Sequence, residues 1–356
     1  MTARPGVLLC TVLALACGSP AGPGDPAPDG GAVMAPDAPV VAGADGAATT
    51  GSDVTVTSSG EAGQDVAGPD GNAADAAPAA PDQAPAACGI CAAYAPAQMV
   101  GQVQDPQLNA VSGIASSWRN PGLLYVHNDR DRPEFAAVTE AGVVAGRFTL
   151  GGATVRDVED IAVGRCPAGT CVHLADLGNN ISPRPDFQIL RVPEPALTAG
   201  MVTTATLPAE RLVFTYPDGP HNAESLLIDP GSGALYVITK VAAGARSTVY
   251  KLPAFGAGGA ATKIADLPVP TPADQPATAA DAHPCGAGFL LRTNNTAYEF
   301  RVPTGSPLED AFKATPTAVP VGNEQQSEGI TYRPDGRGYY TTSEGARPPI
   351  HRVVCK

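Results

Sequence analysis

Aromatic residues make up only 5% of this 356-residue chain and charged residues only 16%, and Trp118 is the single tryptophan. The scarcity is uneven, because residues 18–87 hold no aromatic residue, no Lys and no Arg. That stretch is mostly Ala, Gly, Pro, Asp, Ser and Thr, which cannot bury enough apolar surface to offset chain entropy. No core lies there. Long apolar runs are also missing, and the run from Val7 to Ala16 is too short to cross a bilayer as a helix. No segment carries a helical period, which excludes a helix bundle. There is no GxSxG elbow and no recognisable spacing of Ser, His and Asp, so nucleophilic catalysis has little support. Basic charge is short as well, with 22 Lys and Arg against 35 Asp and Glu. Ten of those acids lie in residues 18–87, and without them and Arg4 the remainder carries 25 acids against 21 bases. Such a domain has no basic field to attract nucleic acid.

The N-terminus has the order of an export signal, with Arg4 ahead of the short apolar run. The run ends at Ala14-Leu15-Ala16-Cys17-Gly18-Ser19. This resembles the lipobox of bacterial lipoproteins, which implies cleavage before Cys17 and acylation of that cysteine. An ordinary cleaved signal peptide is the alternative, and either one exports the chain. Three parts follow: a signal at 1–17, an acidic tether at 18–87 and a folded domain at 88–356. On this reading the membrane is met through the lipid anchor alone, facing the periplasm or the exterior. The tether's random-coil reach is roughly 45 Å.

Six cysteines remain in the domain: Cys88, Cys91, Cys166, Cys171, Cys285 and Cys355. An even number in an exported chain reads as disulfides. Cys88-Gly89-Ile90-Cys91 lacks the second CxxC or the His pair that a zinc site needs, and no βαβ pattern follows it.

What the domain does have is a recurring hairpin. A short apolar strand turns at Pro or Gly and returns as a second strand, five times, about every 45–65 residues. The inner strands read Val111–Ile114, Val158–Ile161, Ala223–Leu226, Ala280–His283 and Ser327–Ile330, and outer strand pairs flank most of them. This predicts an all-β propeller of five four-stranded blades, with six as the alternative. The fifth copy runs out of chain at Ile350–Val354, so Gln98–Val103 is expected to supply its outer strand and close the ring. Closure brings Cys88, Cys91, Cys285 and Cys355 to the lower end, where the first-to-second-strand turns lie. Cys166 is expected to pair with Cys171, and the other four among themselves in an order left open.

The upper end gathers the starts of inner strands and the ends of second strands. The starts bring Glu159, Asp160, Glu224, Asp281 and Glu328. The second-strand ends bring Asp129, Asp176, Lys240, Arg292 and Glu344, and His221 precedes the third inner strand as a general-base candidate. Crowded carboxylates need a metal, a shared proton or a cationic partner. Hard oxygen donors in that number favour calcium over zinc. The structural alternative is that each acid accepts backbone N–H bonds from the next blade. Mixed charge at the second-strand ends suits a polar ligand pocket better than a structural repeat does.

Val158-Glu159-Asp160-Ile161-Ala162, Ala223-Glu224-Ser225-Leu226 and Ser327-Glu328-Gly329-Ile330-Thr331-Tyr332 look like blade motifs of secreted bacterial propellers, including calcium-dependent propeller phytases and related esterase-like or lactonase-like proteins. The resemblance covers roughly residues 95–356. It implies a propeller and leaves two activities open. One is a monomeric surface-tethered module that binds a ligand or an extracytoplasmic protein through its upper face. The other is a calcium-assisted hydrolase, with phosphate esters among its substrates.

Overall fold

A computed structural model describes residues 88–180, 183–242, 244–268 and 276–356. The signal, Cys17 and the tether lie outside the described residues. Strand β1 (Gln98–Gln102) comes first and belongs to the last blade. Blade 1 is β2 (Val111–Ser116), β3 (Leu123–Asn128), β4 (Glu134–Thr139) and β5 (Val144–Gly151). Blade 2 opens with β6 (Val158–Cys166), β7 (Gly169–Asp176) and β8 (Phe187–Pro193). The chain then lays β9 (Thr203–Pro208) parallel to β5 before completing blade 2 with β10 (Glu210–Thr215).

Blade 3 consists of β11 (Ala223–Ile228), β12 (Leu235–Thr239) and β13 (Thr248–Lys251), followed by β14 (Gly259–Ala260) and β15 (Thr262–Asp266). Of these, β14 pairs parallel to β10 and β15 is the blade's outer strand. Blade 4 is β16 (Ala277–Ala282), β17 (Gly288–Thr293), β18 (Ala297–Arg301) and β19 (Thr317–Val319), with the one-turn helix α1 (Leu308–Ala311) before β19. Blade 5 is β20 (Ser327–Tyr332), β21 (Gly338–Ser343) and β22 (Pro349–Val354), closed by β1 against β22. Five sheets therefore form five blades, and both chain ends of the domain meet in one of them.

The core is divided in the same way. Five apolar clusters occupy the five junctions between neighbouring blades, with Tyr216, Leu226 and Tyr250 between blades 2 and 3, and Val111, Ile114 and Ile350 between blades 5 and 1. Inner strands are buried on both faces, which explains why their sequences alternate so weakly. Cys166 bonds Cys171, Cys88 bonds Cys285 and Cys91 bonds Cys355, which fixes the order the sequence left open. The last bridge joins the segment before β1 to the end of β22 and ties the ring shut. Three disulfides are compatible with folding in an oxidising compartment. Among the described residues no helix is long and apolar enough to cross a membrane.

Candidate functional site

Each inner strand breaks its register with the second strand near its start. The breaks fall between Val111 and Ile114, Val158 and Asp160, Ala223 and Ser225, Ala277 and Ala279, and Ser327 and Ile330. A bulge takes its extra residue out of the strand's alternation and re-aims the side chain. The residues freed this way are Ser112, Glu159, Glu224, Thr278 and Glu328. All five are buried. Two are hydroxyls that tie blades together. Ser112 Oγ donates to the Glu159 carbonyl at 2.8 Å, and Thr278 Oγ1 donates to the Glu328 carbonyl at 3.0 Å. The other three are carboxyls.

A second set of positions stands above them. The residue after the second strand donates its N–H to the carbonyl of the residue before the inner strand. The pairs are Asp129 to Ala110 (2.7 Å), Leu177 to Asp157 (3.1 Å), Lys240 to Asn222 (2.9 Å) and Glu344 to Gln326 (3.0 Å). Asp129, Lys240 and Glu344 are thus equivalent, and Asp157, Asn222 and Gln326 form a polar ring with them. Six carboxyls gather here around one ammonium: Asp129, Asp157, Glu159, Glu224, Glu328 and Glu344 around Lys240. Lys240 Nζ donates to Glu224 Oε2 in an ion pair. Asp129, Asp157 and Glu159 each offer an oxygen within 4.8 Å of the others.

Such crowding drives protons onto the acids. Burial first, then Glu224, Asp129 and Asp157, pushes Glu159 up to about 11. Burial raises Glu224 to about 7, although Lys240 pulls the other way. Glu328 rises to about 8 through burial and Glu224, and Asp157 to about 6 through burial and Asp129. Burial and Asp129 also raise Glu344. The arrangement is a cluster of hard oxygen donors that holds protons when nothing else neutralises it, and three of its carboxyls stand close enough to share a metal ion.

The backbone makes room for this cluster at Gly178. A Cβ there would stand 2.1 Å from Asp157 Oδ2 and 2.4 Å from Glu159 Oε1. Asp176 holds the same corner from behind. Its Oδ1 accepts the N–H groups of Arg156 (3.2 Å) and Asp157 (3.0 Å) and the Arg184 guanidinium (2.6 Å), while Oδ2 accepts from Gln188 Nε2 (2.5 Å).

The other residues singled out in the sequence lie elsewhere. Asp176 is one residue short of the position shared by Asp129, Lys240 and Glu344, and Arg292 is two short of its counterpart, Asn294. Both are buried in ion pairs, Asp176 with Arg184 and Arg292 with Glu324 at 2.8 Å. Glu324 also accepts from Thr341, and His351 Nδ1 lies 2.9 Å from it. Asp160 and Asp281 do the blade-stitching that the sequence left as the alternative. Asp160 Oδ2 accepts the Leu226 N–H at 2.8 Å, and Asp281 Oδ2 accepts the Tyr332 N–H at 2.7 Å and the Thr331 hydroxyl at 2.9 Å. The fourth inner strand begins at Ala277, three residues earlier than the sequence suggests, so Thr278 and not Asp281 takes the bulge position. His221 is partly exposed and sits 3.0 Å from both Asp218 Oδ1 and the Tyr250 hydroxyl.

Asp157 is not among the candidates the sequence offers. It stands just ahead of β6, and one of its oxygens lies within 4.8 Å of one from Glu159, the residue at the bulge. Among the described residues Cys88, His283 and Cys285 also cluster, but the two cysteines are bonded to each other.

No protein-family model and no curated protein matches the chain. Solved structures similar in fold include a luciferin-regenerating enzyme, at 10% identity and TM-score 0.41, over 73% of this chain and 95% of that one. Another is the soluble aldose sugar dehydrogenase of Escherichia coli, at 10% identity and TM-score 0.44, over 73% of this chain and 99% of that one. Both are distant propellers, and the likeness is one of fold alone.

Proposed function

We propose that this chain is an exported, lipid-anchored propeller that binds calcium at its upper mouth and uses it to capture a polar ligand or an extracytoplasmic partner. The observation that carries this reading is the convergence of Asp129, Asp157 and Glu159, with one oxygen of each within 4.8 Å of the others. These three would hold the ion. Glu224, Lys240, Glu328 and Glu344 would surround whatever docks on it. Acylated Cys17 and the acidic tether would hold the domain at a membrane surface.

The Glu224–Lys240 pair favours a second reading, a calcium-assisted hydrolase. The cation would supply Lewis acidity to a carbonyl or phosphoryl oxygen, with Glu224 beside it to accept a proton. One ammonium among six carboxyls suits an uncharged ester or lactone better than a phosphate ester.

The test is thermal unfolding in EDTA and then in millimolar calcium. A site filled at a hundred times its dissociation constant gains about 2.7 kcal/mol, which raises the midpoint by roughly 5 to 10 °C. That rise should vanish when Glu159 and Glu224 become Gln. Calcium without effect on the wild-type midpoint would remove both readings. With calcium bound, turnover of an ester or lactone panel that Glu224→Gln abolishes would select the hydrolase.

A further inference from the structure

We infer that the lower face carries a second binding site, between blades 2 and 3, for an amphipathic anion: an apolar body with one carboxylate, sulfate or phosphate head. A cavity of about 600 Å³ opens there, within the range of small-molecule sites. Its walls are the β6–β7 turn at Cys166 and Pro167, the β11–β12 turn at Ser232 and Gly233, and the segment from Lys251 to Phe255. The lining carries three cations, Arg165, Arg191 and Lys251, and no Asp or Glu. The rest is largely apolar, with Leu235, Leu252 and Phe255 as its larger side chains.

Each cation is held in place by a different element. The Arg191 guanidinium stacks on the Phe255 ring, 3.8 Å from the centroid, and Nη2 bonds Glu210 at 2.5 Å. Arg191 is only 8% exposed, and its buried Nε has no partner. Arg165 spends its Nε on the Pro230 carbonyl at 2.6 Å and is otherwise exposed. Lys251 Nζ sits 2.8 Å from Glu309 and 5.5 Å from the centre of the Tyr236 ring. The Cys166–Cys171 disulfide pins the turn that forms one wall. Cations fixed in advance over an apolar floor spare a ligand the cost of ordering them. The upper mouth has the opposite charge, so an anion would find its complement at this end. The site does not depend on the calcium proposal.

The chemistry fits a soluble amphiphile or the head and upper chain of an anionic lipid, and one experiment separates them. The full chain is titrated calorimetrically with sodium decanoate below its micellar range, with decyltrimethylammonium as the cationic control. Its Cys17→Ser form, which has no cysteine to acylate, is then sedimented with phosphatidylglycerol and with phosphatidylcholine vesicles. Saturable decanoate binding is expected at one site per chain, weakened about tenfold or more by Arg165→Glu and by Lys251→Glu. Arg132→Glu, a charge reversal at an exposed residue outside this lining, should bind as the wild type does, and far-UV circular dichroism should show all variants folded. Decanoate binding without vesicle retention assigns a soluble ligand. Retention on phosphatidylglycerol alone that both charge reversals abolish assigns a lipid. Equal binding of the cationic control, binding indifferent to both reversals, or no binding to either probe would overturn the inference.

Discussion

Gly178→Ala isolates the carboxylate cluster from the rest of the propeller. The added methyl would stand 2.1 Å from Asp157 Oδ2 and 2.4 Å from Glu159 Oε1. Relief requires those oxygens to move by roughly 1 Å or more, since non-bonded atoms do not approach so closely. The atoms struck include the ends of two flexible side chains, and the Gly178 backbone is not left-handed, so folding should survive at an overpacking cost of about 1–3 kcal/mol. Calcium binding should suffer far more in proportion. Calcium–oxygen bonds span about 2.3–2.6 Å, and a ligand displaced by 1 Å is lost. A drop in affinity of about 10- to 100-fold is expected. At fixed calcium this removes about 1.4–2.7 kcal/mol of cation-linked stability, or roughly 3 to 10 °C of the midpoint rise. The assay compares unfolding midpoints of wild type and variant, each in EDTA and in calcium. A variant that keeps the full calcium increment would refute the placement of the ion between Asp157 and Glu159.

Three further outcomes are expected. In EDTA the stability should fall as pH rises from about 5 to 8. Glu159, Glu224, Glu328 and Asp157 all have folded pKa values above the unfolded value near 4, so the folded state holds extra protons that rising pH removes; a flat or rising apo profile would contradict this, and saturating calcium should reverse the slope. Asp281→Asn should cost about 1–3 kcal/mol in urea unfolding by disturbing the bonds to Tyr332 and Thr331, yet leave the calcium increment intact; a lost increment would make Asp281 part of the ion site. Opening the Cys91–Cys355 bridge with paired Ser substitutions should cost about 4 kcal/mol, because with Cys88–Cys285 intact it closes a loop of roughly 75 residues, against about 2 kcal/mol for Cys166–Cys171, whose sequence separation is 5; equal losses would count against chain entropy as the source.

Much of this architecture could be read from the residues, because a repeat announces itself through its turns. Pro and Gly mark where hairpins reverse, and the strand the fifth blade lacks points to Gln98–Val103. The disulfide order could not be read, since Cys88 and Cys91 both reach the lower end and only the packed ring separates Cys285 from Cys355. The site was half legible. Asp129, Lys240 and Glu344 were found together because each follows the last strand residue of its hairpin. Asp176 and Arg292 looked equivalent to them, but both still lie within their strands, buried in ion pairs. Glu159 and Asp160 are neighbours with opposite fates because one residue turns a side chain to the other side of the strand. The bulge that frees Glu159 leaves no mark in the alternation of an inner strand buried on both faces.

The mouth also has to be set against the stability of the domain. Glu159, Glu224 and Glu328 are each 4% exposed or less, and a domain selected for stability alone would place Ser or Thr at those bulges, as it does at Ser112 and Thr278. Those hydroxyls show what the position does when chemistry is not asked of it: each donates to the next blade and lies buried at little cost. Three carboxyls in the same position gain no such bond, raise one another's pKa and bring Lys240 in as a partial answer. The cost falls on the ring's cohesion at neutral pH, and at the far end the Cys88–Cys285 and Cys91–Cys355 bridges hold blade 5, blade 4 and the N-terminal segment together independently of those charges. A repeat that departs from its own structural solution in three of five copies, and in positions that converge, is the pattern that supports the proposed site.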